Sequence, residues 1–325
     1  MLIEVNDLKV HFDTRTGMFG RGPAVPAVDG VSFAIARGET LALVGESGSG
    51  KSTLGRAVLR LTEPTSGTVR FDGDDLTKLN AGEMRARRRR MQMIFQDPYA
   101  SLNPKMRVRQ TVAEPLRAAG MPRREVDALV AEMLETVGLD PRDSDRYPRE
   151  FSGGQRQRVA IARALASGPE FLVADEPLAS LDVSIQAQIM NLLRSLQRER
   201  GLTYLFISHD LRAVRRIADR IAVMYLGRIV ELGPAEEVSL RPLMPYTKAL
   251  VSAVPVPDPM VERSRRRIVL REGSPTRPLT GCPFRPRCPW AIEECGTVVP
   301  NLREIRPAHL AACIRVSPEK PYIED

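Results

Sequence analysis

A lysine set behind closely spaced glycines and followed by a hydroxyl is an arrangement that grips polyphosphate. The chain has one at Gly45-Glu46-Ser47-Gly48-Ser49-Gly50-Lys51-Ser52, which fills every fixed position of G-x-x-x-x-G-K-[ST]. Gly45, Ser47, Gly48 and Gly50 belong to a loop whose glycines let backbone N–H groups turn inward onto phosphate oxygens. Lys51 is expected to reach the β- and γ-phosphates and Ser52 to ligate Mg²⁺, with Thr53 completing the nucleotide-binding set. A second group is the carboxylate pair Asp175-Glu176. Asp175 suits the Mg²⁺ shell. Glu176 is one residue on, points elsewhere, and suits a general base acting on water. A third is Phe151-Ser152-Gly153-Gly154-Gln155, where a Ser-Gly-Gly turn offers a hydroxyl and free N–H groups to an anion.

These groups need elements to hold them. The apolar run Leu41-Ala42-Leu43-Val44 reads as a strand, and Thr53–Leu59 reads as a helix that starts near Lys51. That context places the positive end of a helix dipole at the phosphate site. Phe171-Leu172-Val173-Ala174, apolar throughout, reads as a buried parallel strand with the acid pair at its carboxyl end, where open α/β sheets bind ligands. Arg156–Leu165 reads as a helix, for which Ser152 is also a plain N-cap. Taken singly, each signal has a bland reading as a Gly/Ser loop, a solvated strand end or a helix cap.

Further segments fall in a fixed order around these. Gln96 follows Met93-Ile94-Phe95, Ser180-Leu181-Asp182 follows the acid pair, and Ser208-His209-Asp210 follows Tyr204-Leu205-Phe206-Ile207. With them, residues 1–250 resemble the ATP-binding cassette (ABC) family of transport ATPases. The resemblance implies that Ser152, Gly153, Gly154 and Gln155 belong to the signature motif, with Phe151 where Leu is usual. It makes Gln96 the Q-loop residue, with a part in the Mg²⁺ site and in coupling to membrane subunits. Asp182 becomes the D-loop residue, and His209 the switch histidine on the γ-phosphate. Two cassettes are then expected head to tail, each signature closing over the ATP held by the other. Phe12 is the candidate for stacking on adenine. The long loop Asp13 to Val25 follows it, and plain core is the alternative for Phe12.

Three segments resemble the oligopeptide/dipeptide importer ATPases in particular: residues 96–104, residues 181–189, and residues 241–250 followed by Val254-Pro255-Val256-Pro257. Within that group the chain looks closer to the second of two paired ATPase subunits. The partners implied are a second ATPase subunit in a heterodimer, two membrane permease subunits and an extracytoplasmic solute-binding protein. Relatives that carry nickel or glutathione leave the solute open.

Four cysteines, Cys282, Cys288, Cys295 and Cys313, crowd into the last part of the chain, and none precedes them. A cytosolic chain should not rely on disulfides, so clustered thiols argue for a metal. The wide spacing and the prolines after Cys282 and Cys288 lean towards a [4Fe–4S] cluster, with zinc and metal-free buried thiols as alternatives. Arg285 and Arg287 would offset the cluster's negative charge. The Pro- and Arg-rich segment is expected to need such a staple to fold. It is also expected to be independent of the phosphate loop.

The chain carries a net charge of +8, with basic runs at Arg85–Arg90 and Arg263–Arg267. They raise a soluble cassette acting on nucleic acid or ribosomes as a rival, but no aromatic interleaves with them, and a solvated face or anionic headgroups explain them better. No run of about 18 apolar residues marks a membrane span, and Met1-Leu2-Ile3-Glu4-Val5 reads as entering a strand rather than a leader. The expected location is therefore peripheral, at the cytoplasmic face of the membrane. The fold expected is α/β: a phosphate-loop cassette over residues 1–255, with a mixed core sheet, an antiparallel β edge and a helical subdomain near residues 97–165. A small, irregular, metal-stapled extension over residues 256–325 follows, with Pro255, Pro257 and Pro259 marking the linker.

Overall fold

A computed structural model of the protein describes residues 1–13, 15–16, 20–21, 24–255, 258–264, 267–271, 278 and 280–323. Pro257 of the expected linker, Arg265 and Arg266 of the second basic run, and residues 14, 17–19 and 22–23 of the inserted loop lie outside the described residues. In chain order the strands are β1 (Ile3–Phe12), β2 (Arg15–Thr16), β3 (Gly20–Arg21), β4 (Val25–Ile35), β5 (Thr40–Val44), β6 (Ser66–Phe71), β7 (Asp74–Asp75), β8 (Met91–Ile94), β9 (Phe171–Asp175), β10 (Thr203–Ile207), β11 (Arg220–Tyr225), β12 (Arg228–Pro234), β13 (Arg303–Arg306) and β14 (His309–Ala311). The α-helices are α1 (Lys51–Val58), α2 (Ala81–Arg90), α3 (Pro98–Ser101), α4 (Val108–Ala118), α5 (Arg123–Thr136), α6 (Gly153–Leu165), α7 (Val183–Arg200), α8 (Leu211–Ile217), α9 (Ala235–Leu240), α10 (Pro245–Ala253) and α11 (Pro259–Ser264).

The chain divides into two compact units, one of Met1–Ile3, Ile35–Thr40 and Arg70–Ile207, the other of Glu4–Ala34, Leu41–Val69 and Ser208–Asp325. In the first, β8, β9 and β10 run parallel, with Phe171 opposite both Met91 and Thr203. Every residue of β9 and β10 is buried, which is why both read as unbroken apolar runs rather than alternating ones. Helices α3 to α6 fill the stretch between β8 and β9, where the helical segment was expected. α4 buries Val108, Thr111, Val112 and Leu116, a stripe at helical spacing.

The first basic run sits at the end of α2, and two of its five arginines, Arg87 and Arg90, are held in ion pairs. Arg90 bonds both Asp72 and Glu170, Arg37 bonds the same two carboxylates, and Arg87 pairs with Asp74. Hydrogen bonds from Arg90 and Arg37 hold the Asp72 and Glu170 carboxyls below their ordinary range. The Arg90 guanidinium also lies 4.8 Å over the Phe71 ring. Part of a charge run that the sequence leaves open as a surface for polyanions is thus tied into ion pairs within the fold.

In the second unit β11 pairs parallel with β5 and antiparallel with β12. β14 then adds antiparallel to β12, and β13 to β14. The residues after 256 are thus not wholly irregular: they contribute two strands and bury Phe284, Ile305, Ala311, Val316 and Ile323. Among the described residues no helix is long and apolar enough to cross a membrane.

Candidate functional site

The strand, loop and helix expected around Lys51 are present: β5 is buried throughout and α1 begins at Lys51. Gly50 caps the helix at φ +103°, a left-handed conformation that disfavours side chains, and a Cβ there would fall 2.1 Å from the Ala27 carbonyl oxygen. A Cβ on Gly45 would meet the Met224 carbonyl oxygen at 2.2 Å. The loop backbone is therefore pressed against its neighbours and only glycine fits. Lys51, 5% exposed, folds back inside the loop, where its Nζ donates to the carbonyls of Gly45 and Glu46, each at 2.9 Å. The cradle is formed around its own cation, and a polyphosphate would exchange those carbonyls for phosphate oxygens.

Gly45 also borders an open cleft of about 440 Å³. His209 lines the same cleft, with Asp210, Leu211, Arg212 and the end of α10 at Ala253–Pro255. The residues flanking His209 are fixed: Ser208 Oγ accepts the Asp210 N–H at 3.0 Å, and Asp210 caps α8 through the Arg212 N–H at 2.8 Å. The structure thus brings His209 and the first loop glycine to one cleft.

Asp175 ends β9 at 1% exposure, an environment that favours a carboxylate matched to a cation. The chain then turns sharply, and Glu176 adopts φ +46°, which non-glycine residues enter at a cost of about 1–3 kcal/mol. Glu176 Oε2 accepts a hydrogen bond from Gln96 Nε2 at 2.9 Å. Sequence reasoning treated these two separately, and the structure joins them. Ser180 is also left-handed, at φ +61°. Asp182 then caps α7, accepting from Ile185 N–H at 2.9 Å and Ser184 Oγ at 2.7 Å, which keeps its carboxyl below the ordinary range.

Ser152 and Gln155 form a capping box at the start of α6. Ser152 Oγ accepts from the Gln155 N–H at 3.3 Å, and Gln155 Oε1 accepts from the Ser152 N–H at 2.9 Å. The reading of this turn as a helix cap therefore holds. Phe151, in place of the usual leucine, is buried, with the Arg146 guanidinium 4.8 Å over its ring. Gly154 backs onto α7, where a Cβ would meet Ile185 Cγ2 at 2.5 Å. Phe12 closes β1 at 48% exposure, so the core alternative falls and an aromatic face is left open.

The four cysteines are free thiols, and Cys288, Cys295 and Cys313 are buried. All four line one small pocket, with Phe284, Arg285 and Trp290 beside them. Burial pushes the Cys288 and Cys313 thiols up to about 11. Among the described residues, however, no three Cys, His, Asp or Glu side chains are grouped so as to hold a metal ion. The expected metal staple is not formed by the side chains as they stand. The donors are soft, equal in number to what a [4Fe–4S] cube or a tetrahedral zinc needs, and border one pocket, so the chemistry of the set suits either group although its present arrangement does not close around one.

Two contacts had no sequence signal. Arg287, expected to face the thiols, instead bonds the Glu46 carboxylate with both terminal nitrogens, at 2.8 and 2.9 Å. The expected independence of the cysteine segment from the phosphate loop therefore fails. Glu231, fully buried on β12, accepts from His309 of β14 at 2.7 Å and from the backbone N–H groups of Leu243 and Met244 at 2.8 and 3.0 Å.

Residues 28–179 match the family described as ABC transporter, and residues 230–295 match the oligopeptide/dipeptide transporter C-terminal region. The chain is 53% identical to a putative peptide import ATP-binding protein of Brucella ovis, over 97% of this chain and 98% of the relative. It is 54% identical to the putative oligopeptide transport ATP-binding protein YkfD of Bacillus subtilis, over 96% and 94%. It is 51% identical to the oligopeptide transport ATP-binding protein OppF of Salmonella typhimurium, over 98% and 97%. Among solved structures, the ATP-binding cassette MJ0796, seen as a post-hydrolysis dimer with ADP and Pi, matches 72% of this chain and 98% of its own. Its TM-score is 0.64 at 30% identity. The cassette cbiO1 of Clostridium perfringens matches 74% of this chain and 91% of its own, with TM-score 0.65 at 30% identity.

Proposed function

The chain belongs to the ABC transporter family, as an ATP-binding subunit of the oligopeptide/dipeptide importers, and from that premise we propose how its residues divide the work. The observation that carries the reading is the phosphate loop, built so that only glycine fits at Gly45 and Gly50 and with Lys51 already inside it. Lys51 and the loop N–H groups, with Ser47 and Thr53, bind the phosphates, and Phe12 stacks on adenine. Ser52, Gln96 and Asp175 hold Mg²⁺, which supplies charge neutralisation at the phosphates. Glu176 takes a proton from water, the new hydroxide oxygen bonds the γ-phosphorus, and the bond to the bridging oxygen breaks to leave ADP. His209 donates to the γ-phosphate oxygens as charge moves onto them.

Ser152, Gly153, Gly154 and Gln155 serve the ATP of a second, paralogous cassette, and Asp182 lies on the same route between subunits. The paired ATPases drive two membrane permease subunits fed by an extracytoplasmic solute-binding protein, from the cytoplasmic face of the membrane. Exposed Phe95 and Tyr99 beside Gln96, with the Arg156 guanidinium 4.1 Å over the Tyr99 ring, suit a permease contact. Peptide is the solute, with nickel or glutathione as the alternative. Residues 1–255 act as the cassette and residues 256–325 as its extension. In the extension Cys282, Cys288, Cys295 and Cys313 hold a [4Fe–4S] cluster in a structural role. Anaerobic purification tests this: about four irons per chain support it, and stoichiometric zinc overturns it.

The test of the catalytic reading is Glu176→Gln. It should keep ATP binding, slow hydrolysis roughly 10²–10⁴-fold and hold the ATP-bound dimer closed. Near-normal turnover would remove Glu176 from the role of base.

A further inference from the structure

Glu46, the first variable position of the phosphate loop, is tied at all three of its polar groups. Its N–H donates to the Tyr246 hydroxyl at 2.9 Å, its carbonyl accepts from Lys51 Nζ at 2.9 Å, and its carboxylate takes both terminal nitrogens of Arg287. Arg287 is 241 positions away in sequence, between Phe284 and Cys288. Its side chain is 14% exposed. The rings of Tyr225, Tyr246 and Phe284 pack against one another, with centroids 4.7 to 5.4 Å apart. A planar, two-point, charge-assisted contact backed by three aromatic rings fixes orientation as well as charge.

A carboxylate in a loop that must receive a polyanion opposes it. Arg287 cancels that charge and holds the loop backbone that carries Lys51. We propose that Arg287 is a positioning residue for the ATP site, through which the turn Cys282–Cys288 controls nucleotide affinity. Order in the turn keeps Arg287 on Glu46. Loss of order, by loss of a thiol or of whatever the thiols hold, frees the carboxylate and weakens ATP binding. This inference rests on the reading of residues 45–52 as the ATP site.

The experiment uses the full chain and measures equilibrium binding of a fluorescent ATP analogue, with a thermal melt on each variant. Arg287→Ala should weaken binding about tenfold, the scale of one charge-assisted contact. Arg287→Gln, close in length, gives the same test with less disturbance of packing, and Arg287→Lys should recover part of the loss. Adding Glu46→Gln to either neutral variant should restore most of the affinity, because no unpaired carboxylate then faces the phosphates. Cys288→Ser should weaken binding in the wild-type background but not in Arg287→Gln/Glu46→Gln. A purely packing role for Arg287 predicts no rescue by Glu46→Gln, and that result overturns the proposal. So does affinity within twofold of wild type for both Arg287→Ala and Arg287→Gln. Wild-type protein that binds no ATP would instead refute the ATP-site reading itself.

Discussion

Replacing Glu231 by alanine should be among the most damaging single changes outside the phosphate loop. The carboxylate has no solvent exposure and serves three donors: His309 Nε2 at 2.7 Å and the N–H groups of Leu243 and Met244 at 2.8 and 3.0 Å. Truncation strands the imidazole, which is 1% exposed, and both backbone donors. Each buried unsatisfied group costs about 1–3 kcal/mol. Water reaching the backbone donors would recover part of that, leaving a loss of about 3–5 kcal/mol, the scale of breaking a buried pair from one side. Glu231→Gln keeps the shape and one acceptor oxygen and should lose less, about 1–2 kcal/mol. The chain has one tryptophan, Trp290, beside the four thiols, so urea unfolding followed by its fluorescence reads the stability of this region. A loss below about 1 kcal/mol for Glu231→Ala would show that the buried cluster does not hold β14 to β12, and the reasoning from desolvation would be wrong here.

Gly50→Ala should abolish ATP binding, since its Cβ would lie 2.1 Å from a carbonyl oxygen. Gly48→Ala, which meets nothing within 4 Å, should only strain the backbone by about 1 kcal/mol, and equal losses in a binding assay would contradict that difference. Lys51→Ala should weaken ATP affinity in the isolated subunit. Ser152→Ala should leave it nearly intact, lower ATPase activity in the assembled complex, and shift the melting curve by about 1 kcal/mol through loss of the α6 cap. In the metal-free, reduced protein, burial keeps the Cys288 and Cys313 thiols protonated up to about 11, against an ordinary 9.0. The fold therefore binds more protons than the unfolded chain across that interval. Its stability should be fully present below about pH 9 and fall as pH rises towards 11; urea midpoints that stay level over that range would refute the burial of these thiols.

The elements around the ATP site were legible because each carries a local pattern. Leu41–Val44 and Phe171–Ala174 are apolar without alternation, as strands buried on both faces must be, and Gly50-Lys51 marks a helix start. Ser152 was legible as the cap of α6. What could not be read were contacts between residues remote in sequence. Nothing near Glu46 announces Arg287, and nothing near Glu231 announces His309. The left-handed turn at Glu176 was hidden for a different reason, since glutamate gives no sign of positive φ as glycine or asparagine would. The order in the Cys282–Cys313 segment was not legible because its low apolar content was read alone. Its strands borrow their partner from β12.

That borrowed pairing has a consequence for how the margin of the sheet is protected. β12 is buried along most of its length, with Ile229, Val230 and Leu232 beside Glu231, and without β14 the backbone around Val230–Leu232 would offer unpaired N–H and C=O groups. Such an edge is a template for pairing with another chain. β14 covers it, and the sheet ends instead at β13, four residues long and reading Arg303-Glu304-Ile305-Arg306. A short terminal strand crowded with charge is a poor template. Cutting the chain anywhere between α10 and β13 would therefore exchange a protected margin for a sticky one, and aggregates rather than a smaller active subunit are the expected product.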